Sequence, residues 1–171
     1  ILRADLYRRL QTLSGMPEPE VARPLPSFAP TERRLMRVLN AEDNRTNQLV
    51  FQKMVRDIDI ELMFANNGLE AVDLFRSFNP DMIFMDISMP EMDGREAARA
   101  IRVLEAGRSH VPIVALTAHA MEGDADSILA AGIDRYMTKP LRKAAITAVL
   151  AELRPVDTRF IALEPEAMTG T

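Results

Sequence analysis

The chain has 171 residues, 47% of them hydrophobic and 27% charged, with a formal net charge of −4. That is the composition of a folded globular domain with some additional chain, and it excludes a disordered polypeptide. The weakly acidic balance argues against a nucleic-acid binder, which needs a basic face. With no cysteine, disulfides, thiolate chemistry and Cys-type zinc sites are also excluded.

The chain opens at Ile1 without Met or a signal-peptide pattern, so it reads as a piece of a longer polypeptide. No apolar run approaches the ~20 residues of a membrane span, so no membrane contact is expected of this piece. Residues 1–14 read as an amphipathic helix: Leu2, Leu6, Leu10 and Leu13 recur at helical spacing, with Arg3, Arg8 and Arg9 between them and Gly15 as a stop. Ile1-Leu2-Arg3 before this helix resembles Pro140-Leu141-Arg142 before the last one. Two readings therefore stand: the remnant of a preceding domain of the same type, or an interdomain linker helix. Residues 15–33 contain Pro17, Pro19, Pro24, Pro26 and Pro30 and read as an extended linker.

The main domain is expected over residues 34–154. A strand over 35–41 stops at Glu42-Asp43-Asn44, and a helix over 46–55 follows. The alternating segment 58–65 is the second strand. After Asn67-Gly68, Leu69, Val72, Leu74, Phe75 and Phe78 mark a helix ended by Asn79-Pro80. The apolar run 82–86 is the third strand, and Gly94 opens a helix closed by Gly107. A strand over 111–116, a helix over 125–131 closed by Gly132, a strand over 133–138 and a helix over 141–153 complete the pattern. A polar tail is expected over 155–171. Strand and helix alternate five times, which implies a parallel sheet with helices on both faces. Chemistry in such sheets gathers at the C-terminal ends of the strands.

Those ends carry Glu42-Asp43, Asp86, Thr117 and Lys139. Three carboxylates in one cleft repel one another and call for a hard divalent cation; oxygen-only ligands favour Mg²⁺. Glu42 and Asp43 also suit capping of the first helix, and both roles are compatible. Beside a metal, Asp86 could act as a nucleophile toward phosphorus. Lys139 reads either as a surface Lys before a helix that Pro140 starts, or as a point charge that could neutralise a phosphoryl group, aimed by a cis Lys139–Pro140 bond. Thr117 taken alone reads as a β-branched residue finishing a strand; its hydroxyl could also donate to a phosphoryl oxygen. Tyr136 reads either as core or as a mobile aromatic reporting on Thr117. His119 reads as a loop residue at the cleft rim, and His110 as an ordinary loop residue. No glycine-rich phosphate loop occurs, so nucleotide binding has no support.

Five separated motifs in order make residues 35–153 resemble a response-regulator receiver domain of two-component signalling. They are Glu42-Asp43-Asn44, Asp86 with Met89-Pro90, Asp93-Gly94, Leu116-Thr117-Ala118, and Tyr136 to Lys139-Pro140. The variant residues around Glu42 and Thr117 most resemble the C-terminal receiver of a bacterial hybrid sensor histidine kinase. The resemblance implies a flavodoxin-like, doubly wound five-stranded parallel sheet of order 2-1-3-4-5. It implies that Asp86 is the phosphoacceptor, with Lys139 and Thr117 contacting the phosphoryl group and Thr117 and Tyr136 forming a switch. Asp43, Asp86 and the Ser88 backbone carbonyl would bind Mg²⁺ directly, and Glu42 through water. Ser88 and His119 stand where the family tunes dephosphorylation. Implied partners are a phosphohistidine donor domain, in the same polypeptide or another, and a His-phosphotransfer protein. Implied location is the cytoplasm, with a parent histidine kinase that is free to be membrane-anchored. Two rivals are a receiver-like docking module without phosphoryl turnover and a Mg²⁺-dependent phosphohydrolase. The second usually needs an acid two residues past its nucleophile, where this chain has Ser88.

Overall fold

The apolar runs of the main domain form a five-stranded parallel sheet in the computed structural model, which describes residues 33–119, 121, 123–159 and 161. The expected N-terminal helix, nearly all of the linker, and tail residues 160 and 162–171 lie outside the described residues. The elements alternate as β1 (Met36–Ala41), α1 (Arg45–Val55), β2 (Ile60–Ala65), α2 (Gly68–Phe78), β3 (Met82–Asp86), α3 (Gly94–Glu105), β4 (Ile113–Thr117), α4 (Asp124–Ala130), β5 (Arg135–Thr138) and α5 (Lys143–Leu153). The spatial order is β2-β1-β3-β4-β5, the doubly wound flavodoxin-like arrangement expected from the sequence.

Strand periodicity divides the core in two. Met36 and Val38 of β1, Met82 and Phe84 of β3, and Val114 and Leu116 of β4 face α1 and α5, where Phe51, Ile146 and Leu150 cover them. Leu39, Ile83, Met85, Ile113 and Ala115 face the other way, against Ala71 of α2, Ala97, Ala98 and Ile101 of α3, and Ile128 of α4. The Phe51 and Phe84 rings meet edge-on, 5.0 Å between centroids. β1, β3 and β4 are buried almost throughout, which is why they read as continuous apolar runs. β2 lies at the sheet edge and alternates half-buried with exposed residues.

Element ends follow side-chain chemistry. Asn44, Asn67 and Asp93 cap α1, α2 and α3, and Asp93 with Glu96 makes a complete capping box. α2 ends on Asn79 in the left-handed conformation, directly before Pro80. β4 begins at Ile113 rather than 111, because Pro112 has no N–H for the ladder. β5 is shorter than expected. Asp134 turns its carboxylate to the Ile113 N–H (2.9 Å) before regular pairing starts at Arg135.

The described residues past Leu153 include a segment packed on the domain. Thr158 pairs with Arg34 as an isolated parallel bridge and is fully buried, and Ile161 is 2% exposed within the α1–α5 core. Arg34 clamps both Asp81 and Asp157 at 2.6–2.8 Å. The sequence reads residues 155–171 as a polar tail; their described part to residue 159, with Ile161, lies against the domain. Replacing Ile161→Ala should therefore cost about 2–5 kcal/mol of stability, the range for emptying a buried aliphatic site. An unchanged denaturant midpoint would show that this segment does not seal the core.

Candidate functional site

β1 and β3 are parallel neighbours in register, with Val38 beside Met82 and Asn40 beside Phe84. Continuing that register two residues brings Glu42 level with Asp86, both on the α1–α5 side of the sheet. Both carboxylates are buried, at 3% and 6% exposure, whereas Asp43 beside them is exposed. One carboxylate oxygen from each of Glu42, Asp43 and Asp86 lies within 4.8 Å of the others.

Lys139 enters from the end of β5. Its ammonium donates to Glu42 Oε2 at 2.9 Å and to Asp86 Oδ2 at 3.1 Å. The Lys139–Pro140 peptide is cis, and the Lys139 N–H donates to the Thr117 carbonyl at 2.8 Å. Burial pushes the Asp86 carboxyl above its usual range, and Glu42 adds to this. Lys139 and the Ser88 N–H oppose the shift without cancelling it. For Lys139, burial acts to lower the ammonium, but hydrogen bonds and charge from Glu42 and Asp86 outweigh it and hold Lys139 above its ordinary value.

Backbone and amide groups hold the cluster. Glu42 Oε1 accepts from the Asn44 N–H (3.2 Å) and from Asn47 Nδ2 (3.1 Å). Gln48, itself buried, donates to the Glu42 carbonyl (2.6 Å) and to Asn66 (3.0 Å). Asp86 Oδ1 accepts from the Ser88 N–H at 3.2 Å. Gly94 packs so closely that a Cβ there would lie 2.3 Å from the Asp86 carbonyl oxygen. Its N–H bonds the Ile87 carbonyl at 3.0 Å.

The fold thus gathers Glu42, Asp43, Asp86 and Lys139, with Ser88 touching Asp86 through its N–H. Thr117 and Tyr136 stand apart from them. Tyr136 is paired with Ala115 and Thr138 with Thr117, which puts Thr117 and Tyr136 on the α3–α4 side. The Thr117 hydroxyl donates to the His119 carbonyl (2.7 Å) and accepts from the His119 N–H (3.2 Å). Tyr136 is 41% exposed, which removes it from the core. His119 is exposed, and His110 pairs with Asp134 at 2.5 Å. The supporting roles of Asn47, Gln48 and Gly94 were not assigned from sequence. An Asn cap followed by amides at the third and fourth positions was the available signal.

Three carboxylates (−3) and one ammonium (+1) leave a formal charge of −2 at one point. An all-oxygen donor set with one exposed member and that charge fits a hard divalent cation.

A family model described as response regulator receiver domain matches residues 38–151. Sensor protein GacS of Pseudomonas syringae pv. syringae is 42% identical over 123 residues, covering 71% of this chain and 14% of that protein. The chain spans only about one seventh of the length of the GacS relatives. Among solved structures, the receiver domain of sensor histidine kinase PA1611 from Pseudomonas aeruginosa PAO1 carries a magnesium ion coordinated in its active site cleft. It matches with TM-score 0.64 and 37% identity, over 70% of this chain and 97% of that one. A chain of the co-crystal structure of Saccharomyces cerevisiae histidine phosphotransfer signaling protein Ypd1 and the receiver domain of its downstream response regulator Ssk1 matches with TM-score 0.66 and 33% identity, covering 70% and 89%.

Calorimetric titration with Mg²⁺ should show one saturable site. Asp43→Asn should weaken it by more than the roughly 10–100-fold that loss of an outer-shell partner costs. Equal affinity in the two proteins would remove Asp43 from the metal site.

Proposed function

Because the chain belongs to the response regulator receiver domain family, we propose that Asp86 accepts a phosphoryl group from a phosphohistidine in a phosphorelay. The observation that carries this is the buried Asp86 carboxylate, held by Lys139 at 3.1 Å and within 4.8 Å of two further acidic groups. A carboxylate oxygen of Asp86 attacks phosphorus, the P–O bond forms as the P–N bond breaks, and the electron pair returns to the donor imidazole. Asp43, Asp86 and the Ser88 carbonyl would hold Mg²⁺, with Glu42 acting through water. The cation, when bound, supplies positive charge to the phosphoryl oxygens.

The chain's own groups do the rest. Lys139 gives up part of its contact with Asp86 to the incoming phosphoryl oxygens as a point charge. The Ser88 N–H orients the carboxylate. The new group brings about −1.5 to −2 of charge. The Thr117 hydroxyl leaves the His119 carbonyl to meet it, and Tyr136 follows into the space released. That local charge event would repack the α4–β5 face, which a partner then reads.

We assign the receiver to residues 34–154 and the phosphoryl donor to a histidine kinase, with a His-phosphotransfer protein as the further partner. The parent is a hybrid sensor kinase in this reading, and the receiver works in the cytoplasm. Among the described residues no helix is long and apolar enough to cross a membrane.

Incubation with acetyl phosphate and Mg²⁺ should give a single phosphoryl adduct by intact mass, absent in Asp86→Asn. An undiminished adduct in that variant, or none in the wild type, overturns the assignment. The docking-module reading requires the second result. A phosphohydrolase would instead turn over a phosphate ester many times.

His119 adjoins Thr117 at the cleft rim. His119→Ala should change the lifetime of the aspartyl phosphate while leaving its formation intact, read by the decay of the adduct. Complete loss of phosphoryl uptake would instead make His119 essential to the transfer.

A further inference from the structure

Next to the acidic cluster, a cavity of about 450 Å³ opens between α1 and the turn from β5 to α5. That volume lies in the range of small-molecule sites. Its walls are mainly apolar: Phe51 and Met54 of α1, Leu116 of β4, and Leu141 beyond the cis proline. Asn40 of β1 also lines it. Asn40 is 1% exposed, in the row of Met36 and Val38 that faces α1 and α5, where an aliphatic side chain would continue the core.

The Asn40 side-chain carbonyl has no hydrogen-bond partner among the described residues. A buried acceptor left unsatisfied costs about 1–3 kcal/mol. A valine at that position would avoid the cost. The charged groups at the rim are already engaged, since Glu42 and Lys139 bind each other. The cavity therefore offers mainly apolar walls, rim charges already paired and one side-chain carbonyl without a partner.

We propose that this cavity binds a small, uncharged, mainly apolar ligand bearing an amide-type group that pairs with the Asn40 side chain. A charged ligand would have to break the Glu42–Lys139 pair. A purely apolar one would leave the Asn40 carbonyl unsatisfied. An amide N–H supplies the donor that the Asn40 carbonyl lacks. Binding here does not depend on phosphoryl chemistry at Asp86.

The test uses the full 171-residue chain, ¹⁵N-labelled, with acetanilide as probe and ethylbenzene as the apolar control. Acetanilide should shift the Asn40 side-chain amide and the backbone signals of Phe51 and Leu116 saturably. Asn40→Val should bind acetanilide about tenfold more weakly, the loss of one net hydrogen bond, while its ethylbenzene affinity is unchanged. Its thermal midpoint should equal or exceed that of the wild type. Absence of a saturable shift at Asn40, as a tightly held water on this amide would give, overturns the proposal. So does undiminished acetanilide binding in Asn40→Val. A lowered midpoint in that variant also overturns it, by showing the amide satisfied within the fold. The readout involves no phosphoryl transfer, so its failure leaves the assignment of Asp86 standing, and the reverse holds as well.

Discussion

The close approach of Glu42, Asp43 and Asp86 is the constraint around which the domain is arranged. Register pairing of β1 with β3 sets Glu42 beside Asp86, and burial leaves both with little solvent. Carboxylates this near raise each other's pKa, and burying charge without partners is costly. The surrounding residues answer that cost. Lys139 bridges two of the acids, Asn44 and Asn47 occupy Glu42, and the Ser88 N–H meets Asp86. The negative charge that remains suits a hard divalent cation.

Strand alternation then separates two tasks. The ionic groups lie on the α1–α5 side of the sheet, while Thr117 and Tyr136 lie on the α3–α4 side. Lys139 and Thr117 are nevertheless joined through the backbone at 2.8 Å. That bond is the route by which the proposed charge change at Asp86 would reach the opposite face. In the proposed switch, the Thr117 hydroxyl, satisfied by His119 in this structure, would exchange that bond for one to the phosphoryl group. Two alternative hydrogen bonds for one hydroxyl are the kind of bistable element that a local charge can bias.

Much of this was legible in the residues themselves. The buried strands appear as apolar runs, Asn44, Asp93 and Asn79 mark helix ends, and the acids stand at strand ends where open sheets place their chemistry. The boundaries of β4 and β5 were less legible. Asp134 caps the neighbouring strand with its side chain, a contact between residues 21 apart that no local pattern encodes. Residues 155–159 and Ile161 read as polar chain because the apolar stretch Phe160-Ile161-Ala162-Leu163 is too short to show a period; only the Arg34 bridge and the α1–α5 core give Ile161 a place.

The sequence by itself determined the alternation of strands and helices, and with it the chemical types present at the strand ends. Period-2 and period-3.6 patterns are local, and each residue carries its own functional group. Tertiary structure alone decided that Lys139 holds Glu42 as well as Asp86, and that Gln48 and Gly94 brace the cluster. It also turned Thr117 away from Asp86 and left the Asn40 side-chain carbonyl unpaired beside a cavity. Those outcomes depend on register, packing depth and competition among partners far apart in the chain. Hydrogen bonds are short-ranged and directional, so distances of a few tenths of an ångström select among them, and only the folded chain sets those distances.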